Sequence, residues 1–389
     1  MGRVAQDTPP GWIALLLATA SVGIANSVVF SLLSDLQDEY GFADTGLGLS
    51  AGAGMLIGFV SQLVLAPLAD RGHSKTLLLA GLVAAITGSV VFAASSSLPM
   101  LVLARAIVGV SNGLFLPAAR AIAANTSPDR MGERLGTLGG VELAGFVTGP
   151  VIGGVLVGPL GVRWPFLVCG MFAFVALVAL APRSLPTPPV SERRHGVSLD
   201  LLRLREMQVA VLMAMALFFP VGMYDAILDR YMTDRGASNV LIGISFLLYG
   251  IPFALLATYG GRLADRHGAF RVATIAVVAV VPLTAVYGVL TVPIVIALLF
   301  AVEGAVQALG VPATQSLVAS AAPHGRSSAA QGLAGAMNML GATLSAFAAP
   351  AVYGRWGAEG AFGGAALLVG LAGLAAASLR RSAAAVATP

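Results

Sequence analysis

Four ionisable side chains lie inside long apolar stretches of this sequence. They are Arg105, Glu142, Asp225 and Glu303. A charge at the depth of a bilayer core costs at least about 2.5–3.5 kcal/mol on insertion scales, so it normally faces a water-filled cavity or a partner. If these stretches cross a membrane, the four residues are candidates for moving protons or for contacting a substrate.

Glu303 is the strongest of these candidates. Its apolar stretch begins near Pro293, which places it roughly 15 Å deep at a rise of 1.5 Å per residue. Gly304 follows it and Gln307 is one turn further on, which predicts a polar, accessible surface. A desolvated carboxylate near a cation can load and release a proton near neutral pH. We therefore interpret Glu303 as the main proton carrier; the alternative is a permanently protonated or ion-paired structural glutamate.

Arg105 and Glu142 each have two interpretations. Arg105 either tunes or competes with the proton on Glu303, or it extends to water at the outer interface. Glu142 either titrates or forms a structural ion pair with Arg120 at the end of the preceding apolar run. The sequence does not decide between them.

Asp225 follows Tyr224 in the outer third of its apolar run. Asp229 and Arg230 are close by in the sequence. A coupling carboxylate and a member of an interfacial ion cluster are both compatible with this spacing, and the cluster is favoured slightly.

The composition favours a membrane protein. Of 389 residues, 57% are hydrophobic and 10% are charged, with a mean hydropathy of +0.89; a soluble domain carries about 25% charged residues. The net charge of +4 does not indicate a nucleic-acid partner, because the basic residues lie singly between apolar runs. Cys169 is the one cysteine, and no spacing indicates a metal, a cofactor or an enzyme's catalytic set.

Twelve apolar runs reach the roughly 20 residues that a transmembrane helix needs. In order, spans 1 to 12 are predicted at 12–34, 47–69, 75–95, 98–122, 135–158, 162–181, 208–230, 238–260, 270–290, 292–318, 328–350 and 358–379. The expected fold is therefore an all-α polytopic membrane protein with about 12 transmembrane helices.

The connections between the spans predict the orientation. With the N-terminus inside, most arginines and the one lysine of the loops fall on the cytoplasmic side. We expect a multi-pass protein of the bacterial inner membrane with both termini cytoplasmic. The longest connection, 182–206, is rich in proline and arginine, and it divides an N-terminal six-helix bundle, 1–181, from a C-terminal one, 207–389.

An internal repeat supports this division. A shift of about 195 residues, in one register without gaps, superposes Leu68–Arg71 on Leu263–Arg266, Gly41 on Gly236, and Pro117 on Pro312. Duplicated halves predict two pseudo-symmetric bundles. Under the same shift Glu303 falls on Val108, one turn from Arg105, so the halves place a carboxylate and a guanidinium at nearly equivalent positions.

Every third span has no ionisable residue in its apolar interior. These are spans 3, 6, 9 and 12. Because charges at membrane depth avoid lipid, we expect these four to face lipid and the other spans to line a cavity.

Two related turns follow spans 2 and 8. The first reads Ala66-Pro-Leu-Ala-Asp-Arg-Gly-His-Ser-Lys75 and the second Gly261-Arg-Leu-Ala-Asp-Arg-His-Gly-Ala-Phe-Arg271. Both resemble motif A of the major facilitator superfamily, G-x-L-A-D-R-x-G-R-K, which in that family latches the cytoplasmic side of the outward-open state. The resemblance implies gating roles for Asp70, Arg71 and Lys75, and for Gly261, Asp265, Arg266, Gly268 and Arg271. The alternative is a polar turn that only sets topology.

The two copies are not equally complete. The first has Ala66 and His73 where the motif has glycine, and Ser74 where it has arginine. The second keeps both glycines, so the latch is better supported there.

Span 5 carries a second motif, built from small residues. Its fixed positions are Gly145, Gly149, Pro150, Gly153 and Gly154. The pattern resembles motif C of the same superfamily, which is associated with proton-linked antiporters, chiefly drug exporters. The glycine stripe lets another helix approach closely and Pro150 bends the span. Generic small-residue packing would explain the glycines, but not the Gly-Pro step at its family position.

A third resemblance lies on span 4. Leu101–Gly109 resembles motif B, whose arginine, here Arg105, is tied to proton coupling in family members. Together the motifs imply a monomeric secondary transporter with spans 1, 4, 7 and 10 central, whose partners are protons, a small-molecule substrate and the bilayer. The predicted function is proton-coupled efflux of a lipophilic or amphipathic compound by alternating access. The alternatives are a proton symporter or facilitator for a sugar or organic acid and, remotely, a membrane sensor or enzyme.

Overall fold

The structure is a computed structural model that describes residues 11–68, 73–126, 131–185, 199–323 and 327–387. The helices in chain order are α1 Trp12–Ser27, α2 Leu33–Tyr40, α3 Asp44–Leu68, α4 Ser74–Ala94, α5 Leu98–Thr126, α6 Met131–Leu160, α7 Arg163–Leu180, α8 Arg205–Thr233, α9 Asn239–His267, α10 Ala269–Tyr287, α11 Pro293–Ala321 and α12 Ser327–Ala387. Short 3-10 segments occur at Val28–Ser31 and Leu199–Arg203.

The helices have the lengths that a membrane requires. Across the described residues, 10 candidate spans are long and apolar enough to cross a bilayer. The last of them passes through Gly357, whose φ of 67° and ψ of −166° are not helical, so α12 is two helices joined at a kink. Helix α3 is also apolar, with 25 residues and Asp44 as its charged residue. The predicted all-α polytopic fold of about twelve spans is confirmed.

Predicted span 1 is one run in the sequence but is broken in the structure. Helix α1 ends at Ser27, a 3-10 turn occupies Val28–Ser31, and α2 continues to Tyr40. The Ser27 hydroxyl donates to the Gly23 carbonyl at 2.9 Å. Serine hydroxyls that bond back to the preceding turn compete with the helical ladder and often bend it, and Ser27 is the last residue of α1.

The chain divides into two compact units. One unit is Met1–Leu36 with Leu56–Arg194, and the other is Gln37–Met55 with His195–Pro389. The second unit thus contains α2 from Gln37 onward and the start of α3 together with the second half of the sequence. The proposed boundaries at 1–181, 182–206 and 207–389 remain a prediction.

The same pairing scheme recurs within each unit. In the first unit α1 packs on α6, and α4 packs on α5 and α7. In the second, α8 packs on α12, and α10 packs on α11 and α12. Under the shift of about 195 residues these are equivalent pairs, so the structure has the pseudo-symmetry that the repeat predicts.

The repeat extends to backbone conformation. Gly41 follows α2 with a φ of 66°, and Gly236 follows α8 with a φ of 78°. A positive φ at the end of a helix is the position where glycine is favoured over other residues. The two glycines that the shift superposes therefore end equivalent helices in the same way.

The spans without charges carry large exposed apolar side chains. These include Val83 and Val90 on α4, Met171 and Phe174 on α7, Ile275 and Val278 on α10, and Leu367, Leu371 and Leu374 on α12. Such surfaces are the ones expected to contact lipid.

Candidate functional site

The Glu303 carboxylate is held by a tyrosine hydroxyl in the interior of the second unit. Glu303 on α11 is fully buried. The Tyr224 hydroxyl on α8 lies 2.7 Å from Oε1 and 2.9 Å from Oε2 and donates to the carboxylate. Thr284 Oγ1 on α10 lies 3.4 Å from the same hydroxyl. Side-chain oxygens on three helices therefore form a chain from Glu303 through Tyr224 to Thr284.

Aromatic rings surround this group and contact one another. Tyr224 lies edge-on to Phe300, with 5.2 Å between ring centroids, and Tyr249 lies 4.8 Å from Phe300. Tyr287 lies 5.4 Å from Phe362. Rings at these separations are in van der Waals contact. The carboxylate is therefore enclosed by packed aromatic side chains and not by solvent.

The accessible polar surface expected around Glu303 and Gln307 is wrong. Gln307 is buried, and its Nε2 donates to the Leu217 carbonyl of α8 at 2.9 Å. A Cβ on Gly304 would lie 2.9 Å from the carbonyl carbon of Tyr249. Gly304 thus serves the close packing of α11 on α9, and the sequence pattern that suggested solvent access reflects helix packing.

Asp225 and Asp229 are also buried on α8. The sequence favoured an ion cluster of these two aspartates with Arg230. The ion pairs recorded for Arg230 are instead with other aspartates. Arg230 donates to Asp38 at 2.6 Å and to Asp234 at 2.8 Å. The reason is its place near the end of α8, where Asp234 lies one turn further along the same helix face.

Arg105 is buried on α5, which excludes the expectation that it extends to water. Its exposed fraction is 3%. Nη1 donates to the Asn26 carbonyl at 2.6 Å, and the guanidinium lies 4.6 Å from the centroid of the Phe30 ring. The arginine therefore ties α5 to the region where α1 breaks.

The structure forms the ion pair that was one interpretation of Glu142. Arg120 Nη2 lies 3.0 and 3.1 Å from the two carboxylate oxygens. The arginine side chain is 50% exposed, so the pair is screened by solvent and contributes at most about 1 kcal/mol. This arrangement favours a structural role for Glu142.

The glycine stripe of motif C packs directly on α1. A Cβ on Gly149 would lie 2.7 Å from the Ile24 carbonyl and 2.8 Å from the Val28 nitrogen. Gly145 meets Ala20 in the same way, and a Cβ on Gly153 would lie 2.9 Å from the Val28 carbonyl. These contacts are to backbone, which cannot move aside as a side chain can. The helix that the stripe admits is therefore α1.

The proline of this motif meets the break in α1. The Ser31 hydroxyl donates to the Pro150 carbonyl at 2.8 Å, and Gly154 is buried nearby on α6. The 3-10 turn of the first span and the proline of the fifth are thus joined by a hydrogen bond.

The second motif A turn ends α9 and begins α10. Gly268 has a φ of 88° and a ψ of 127°, and its N–H donates to the Ala264 carbonyl at 2.9 Å. Asp265, Arg266 and Arg271 are exposed. For these three side chains the structure records no ion pair with another described residue.

The close packing in this motif falls on a neighbouring glycine. A Cβ on Gly261 would make an ordinary contact, 3.9 Å from Pro312 Cβ. A Cβ on Gly260 would lie 2.7 Å from the Leu309 Cα of α11. The motif pattern alone did not single out Gly260.

Asp70 and Arg71 of the first motif A turn lie outside the described residues. Lys75 is half-buried near the start of α4. His73, which the shift places on Gly268, has a φ of −91° and a ψ of 14°. At His73 the chain therefore enters α4 without the positive φ that Gly268 has at the equivalent position.

Tyr224, Thr284 and Tyr287 were missed in the sequence. Tyr224 donates to a residue 79 positions away, and its other neighbour Thr284 is 60 positions away. The Tyr287 hydroxyl lies near Glu303 but outside hydrogen-bonding geometry. The available signal was a tyrosine beside Asp225 on an apolar helix, which does not identify a partner.

Comparison with known families identifies the class of protein. The family model described as Major Facilitator Superfamily matches residues 15–226 and again residues 210–388. The two matches together cover nearly the whole chain and overlap at residues 210–226. The chain belongs to the major facilitator superfamily.

Its curated relatives include several drug exporters. The multi-drug resistance efflux pump PmrA of Streptococcus pneumoniae is 27% identical over 280 residues, which are 68% of this chain and 68% of PmrA. The multidrug resistance protein MdtG of Proteus mirabilis is 28% identical over 265 residues, 64% of this chain and 66% of MdtG. The quinolone resistance protein NorA of Staphylococcus aureus is 25% identical over 255 residues, 63% of each chain.

Solved structures share the fold. The nucleoside transporter NupG has a TM-score of 0.76 at 13% identity, covering 95% of this chain and 97% of its own. A bacterial homologue of the human lysosomal transporter Spinster has a TM-score of 0.75 at 15% identity, covering 95% of this chain and 96% of its own. The family and the fold together define a membrane transporter of small molecules, not an enzyme.

Proposed function

We propose that this protein is a proton-coupled exporter of small lipophilic or amphipathic compounds that works by alternating access. The observation that carries the proposal is the Glu303 carboxylate, buried on α11 and bonded by the Tyr224 hydroxyl. The names of PmrA, MdtG and NorA support export of drug-like compounds. The complete motif C pattern on α6 supports export over uptake.

The environment of Glu303 is suited to a proton and not to a substrate. An unpaired charge in an apolar interior is strongly unfavourable, so a carboxyl group there carries its charge only while a donor stabilises it. Tyr224 supplies that donor. Because the surrounding rings are in contact, the substrate binds elsewhere in the transporter, and Glu303 contributes the proton side of the exchange.

The proposed topology places the protein in the bacterial inner membrane with both termini and the 182–206 linker in the cytoplasm. The distribution of arginine along the chain supports it. On this topology the two motif A turns lie on the cytoplasmic side, where they act as latches of the outward-open state. The substrate and protons are the partners, and the functional unit is a monomer.

The decisive experiment is Glu303→Gln, measured in everted membrane vesicles as substrate-induced proton release. Ethidium, a lipophilic cation, serves as the probe, alongside a neutral amphipathic dye. We expect proton-driven transport to fall at least tenfold, substrate binding to be kept, and residual exchange to lose its pH dependence. Glutamine keeps the size and polarity of the side chain but cannot carry a proton.

A matched control is Glu359→Gln, the same substitution at an exposed carboxylate of the second unit. It should transport at the wild-type rate. If Glu303→Gln still concentrates the probe against a gradient with an unchanged pH dependence, Glu303 is not the carrier, and Asp225 and Glu142 become the candidates. If protons instead cross the membrane in the same direction as the substrate, the protein is a symporter.

The topology has its own test in cysteine labelling. The native Cys169 is fully buried on α7 and is expected to stay unlabelled by a membrane-impermeant maleimide. Single cysteines introduced in the 182–206 linker should react in everted vesicles and not in intact cells. If the linker is labelled from outside the cell, both the proposed orientation and the proposed cytoplasmic latch are wrong.

A further inference from the structure

We infer that Tyr224 is the positioning residue for Glu303, and that its hydroxyl changes partner between Glu303 and Thr284 as the carboxylate gains or loses a proton. This inference rests on the proposed role of Glu303 and adds a named device to it. The observation is a chain of three oxygen groups on three helices, with Tyr224 at the centre, 2.7 Å from Glu303 and 3.4 Å from Thr284.

The tyrosine is fixed so that its hydroxyl can turn while its ring cannot. The side chain is 2% exposed. Its ring packs edge-on against Tyr287 and Phe300, with centroids 5.8 and 5.2 Å away, and lies 6.4 Å from Phe362. Rotation about the C–O bond is the motion left to the group, and it exchanges one acceptor for another without moving a heavy atom.

The direction of hydrogen bonding depends on the state of the carboxyl group. A charged carboxylate only accepts, so Tyr224 donates to Glu303 and can accept from Thr284. A protonated carboxyl group gains an O–H that can donate to the Tyr224 oxygen. The Tyr224 proton is then free to turn toward Thr284 Oγ1. One proton gained at α11 reverses the chain through α8 to α10.

Side chains from the neighbouring helices surround the chain of Glu303, Tyr224 and Thr284. Tyr249 comes from α9, where its backbone packs on Gly304 and its ring lies 4.8 Å from the Phe300 ring, and Asp225 is buried next to Tyr224 on α8. Tyr287 comes from α10, where its ring centroid lies 5.8 Å from that of Tyr224 and its carbonyl accepts from the Tyr231 hydroxyl. From α12 the facing group is the Phe362 ring, which does not titrate. Tyr224 is distinguished from the other tyrosines by donating to both carboxylate oxygens.

The experiment compares Tyr224→Phe with Tyr231→Phe in the same everted-vesicle assay, across a range of pH. Tyr231 is a matched control, since it is fully buried on the same helix and its hydroxyl donates to the backbone carbonyls of Tyr287 and Leu290. Both changes remove one buried hydroxyl. We expect Tyr224→Phe to move the pH of half-maximal transport toward alkaline values by about one unit or more, because the charged carboxylate loses its donor.

Tyr231→Phe should leave the pH profile in place, even where it lowers thermal stability. Thr284→Val tests the other end of the chain. It should shift the profile in the opposite direction to Tyr224→Phe, toward acidic values and by a smaller amount, since it removes the acceptor to which the Tyr224 proton turns when the carboxyl group is protonated and leaves the carboxylate contact intact.

The outcomes separate this inference from the proposed function. If Glu303→Gln abolishes proton-driven transport while Tyr224→Phe keeps the wild-type pH profile, Glu303 is the carrier and the positioning role is refuted. If Tyr224→Phe and Tyr231→Phe change the profile equally, the effect is one of packing and the inference also fails. If Glu303→Gln retains proton-driven transport, the proposed function fails first.

Discussion

The two units bury charges of opposite sign. Within the described residues, the buried charged side chains of the first unit are Arg105 and Arg134, and those of the second are Asp225, Asp229 and Glu303. Since duplicated halves begin with one sequence, a difference of sign marks divergence in chemistry on a shared frame. The second unit buries carboxylates, whereas the first buries guanidinium groups.

The hydrogen-bond partners of Arg105 and Glu303 also differ between the two units. Arg105 donates to a backbone carbonyl and lies over a ring, so its partners are permanent dipoles. Glu303 is bonded by a hydroxyl that also has a second neighbour, Thr284. On the proposed function and the inferred role of Tyr224, the partners of Glu303 depend on a proton, and this contrast places the proposed proton-dependent step in the second unit.

The two units also differ in which helix carries the glycine at an equivalent helix–helix contact. In the first unit, Gly149 of α6 packs on the α1 backbone near Ser27. In the second, Gly222 of α8 packs on Ala342 of α12, and the shift of about 195 residues places Gly222 on Ser27. The close approach is kept while the glycine has moved to the other helix.

The largest effect is expected from Gly149→Val. Even a Cβ at this position would lie 2.7 Å from the Ile24 carbonyl, and valine adds two methyl groups. Because the contact is to backbone, α1 and α6 must separate, with a loss of about 1–3 kcal/mol or more. Transport should fall at least tenfold or become a leak, with a lower melting temperature in detergent. Gly222→Val should have an equally large effect.

Gly139→Val provides the control on the same helix. A Cβ at Gly139 meets nothing within 4 Å, so the variant should differ little from wild type. Normal transport by Gly149→Val would show that α1 and α6 do not need their close contact, and the argument for export from motif C would lose its basis.

The fold was predictable because length and apolarity alone dictate helices in a bilayer. The twelve runs required counting and no knowledge of contacts. Glu303 was found for the same reason, since a single carboxylate in an apolar run is conspicuous. The break within span 1 was missed, because Val28–Ser31 is as apolar as its neighbours and apolarity does not mark where a helical ladder is interrupted.

The partners of Glu303 could not be predicted in the same way. Tyr224 and Thr284 reach it from helices that are distant in sequence, and a tyrosine on an apolar helix is ordinary. The glycine at Gly304 misled the interpretation, since small residues beside a charge indicate an open surface and close packing equally well. Packing was the cause, as the contact with Tyr249 demonstrates.

Arg105→Gln should have the next largest effect and sharpen the contrast of the two charges. It removes the bond to Asn26 and the contact with Phe30. We expect transport to fall about tenfold, since a buried group that loses a charged hydrogen bond costs about 1.5–3 kcal/mol. The steepness of the pH dependence, measured in vesicles, should remain, because Glu303 is still present.

A change of pH midpoint in Arg105→Gln would support the expectation that Arg105 tunes the carboxylate. Loss of all pH dependence would contradict the assignment of the proton-dependent step to the second unit. Arg105→Lys should behave like Arg105→Gln, because an ammonium cannot reproduce the planar contact with the ring.

The two motif A turns predict a smaller and asymmetric effect. Gly268 has a φ of 88° and a ψ of 127°, which side chains rarely adopt, whereas His73 has a φ of −91°. Gly268→Ala should therefore destabilise the protein by about 1–3 kcal/mol, and His73→Ala should be nearly neutral. Thermal unfolding in detergent checks both, and equal shifts would contradict the difference in backbone between the turns.

Asp265→Asn separates gating from stability in the same turn. The side chain is exposed, so we expect normal expression and melting temperature with transport slowed several-fold, as a latch contact is lost. Asp70→Asn should slow transport no more than this, because its motif is less complete. Full activity of the double variant would leave the turns with a role in topology alone.

The smallest effect is expected from Asp38→Asn at the end of α2. Asp38 and Asp234 both contact Arg230, at 2.6 and 2.8 Å, but the Asp38 side chain is 63% exposed and the Asp234 side chain 31%. Asp234 also accepts from the Tyr353 hydroxyl at 2.6 Å. Solvent screens the first pair, so Asp38→Asn should change stability by about 0–1 kcal/mol, and Asp234→Asn by more, since it weakens two bonds. Melting curves at low and high salt distinguish them: the Asp38 contribution should vanish with salt, and a larger, salt-resistant loss in Asp38→Asn would reverse the order of the two aspartates.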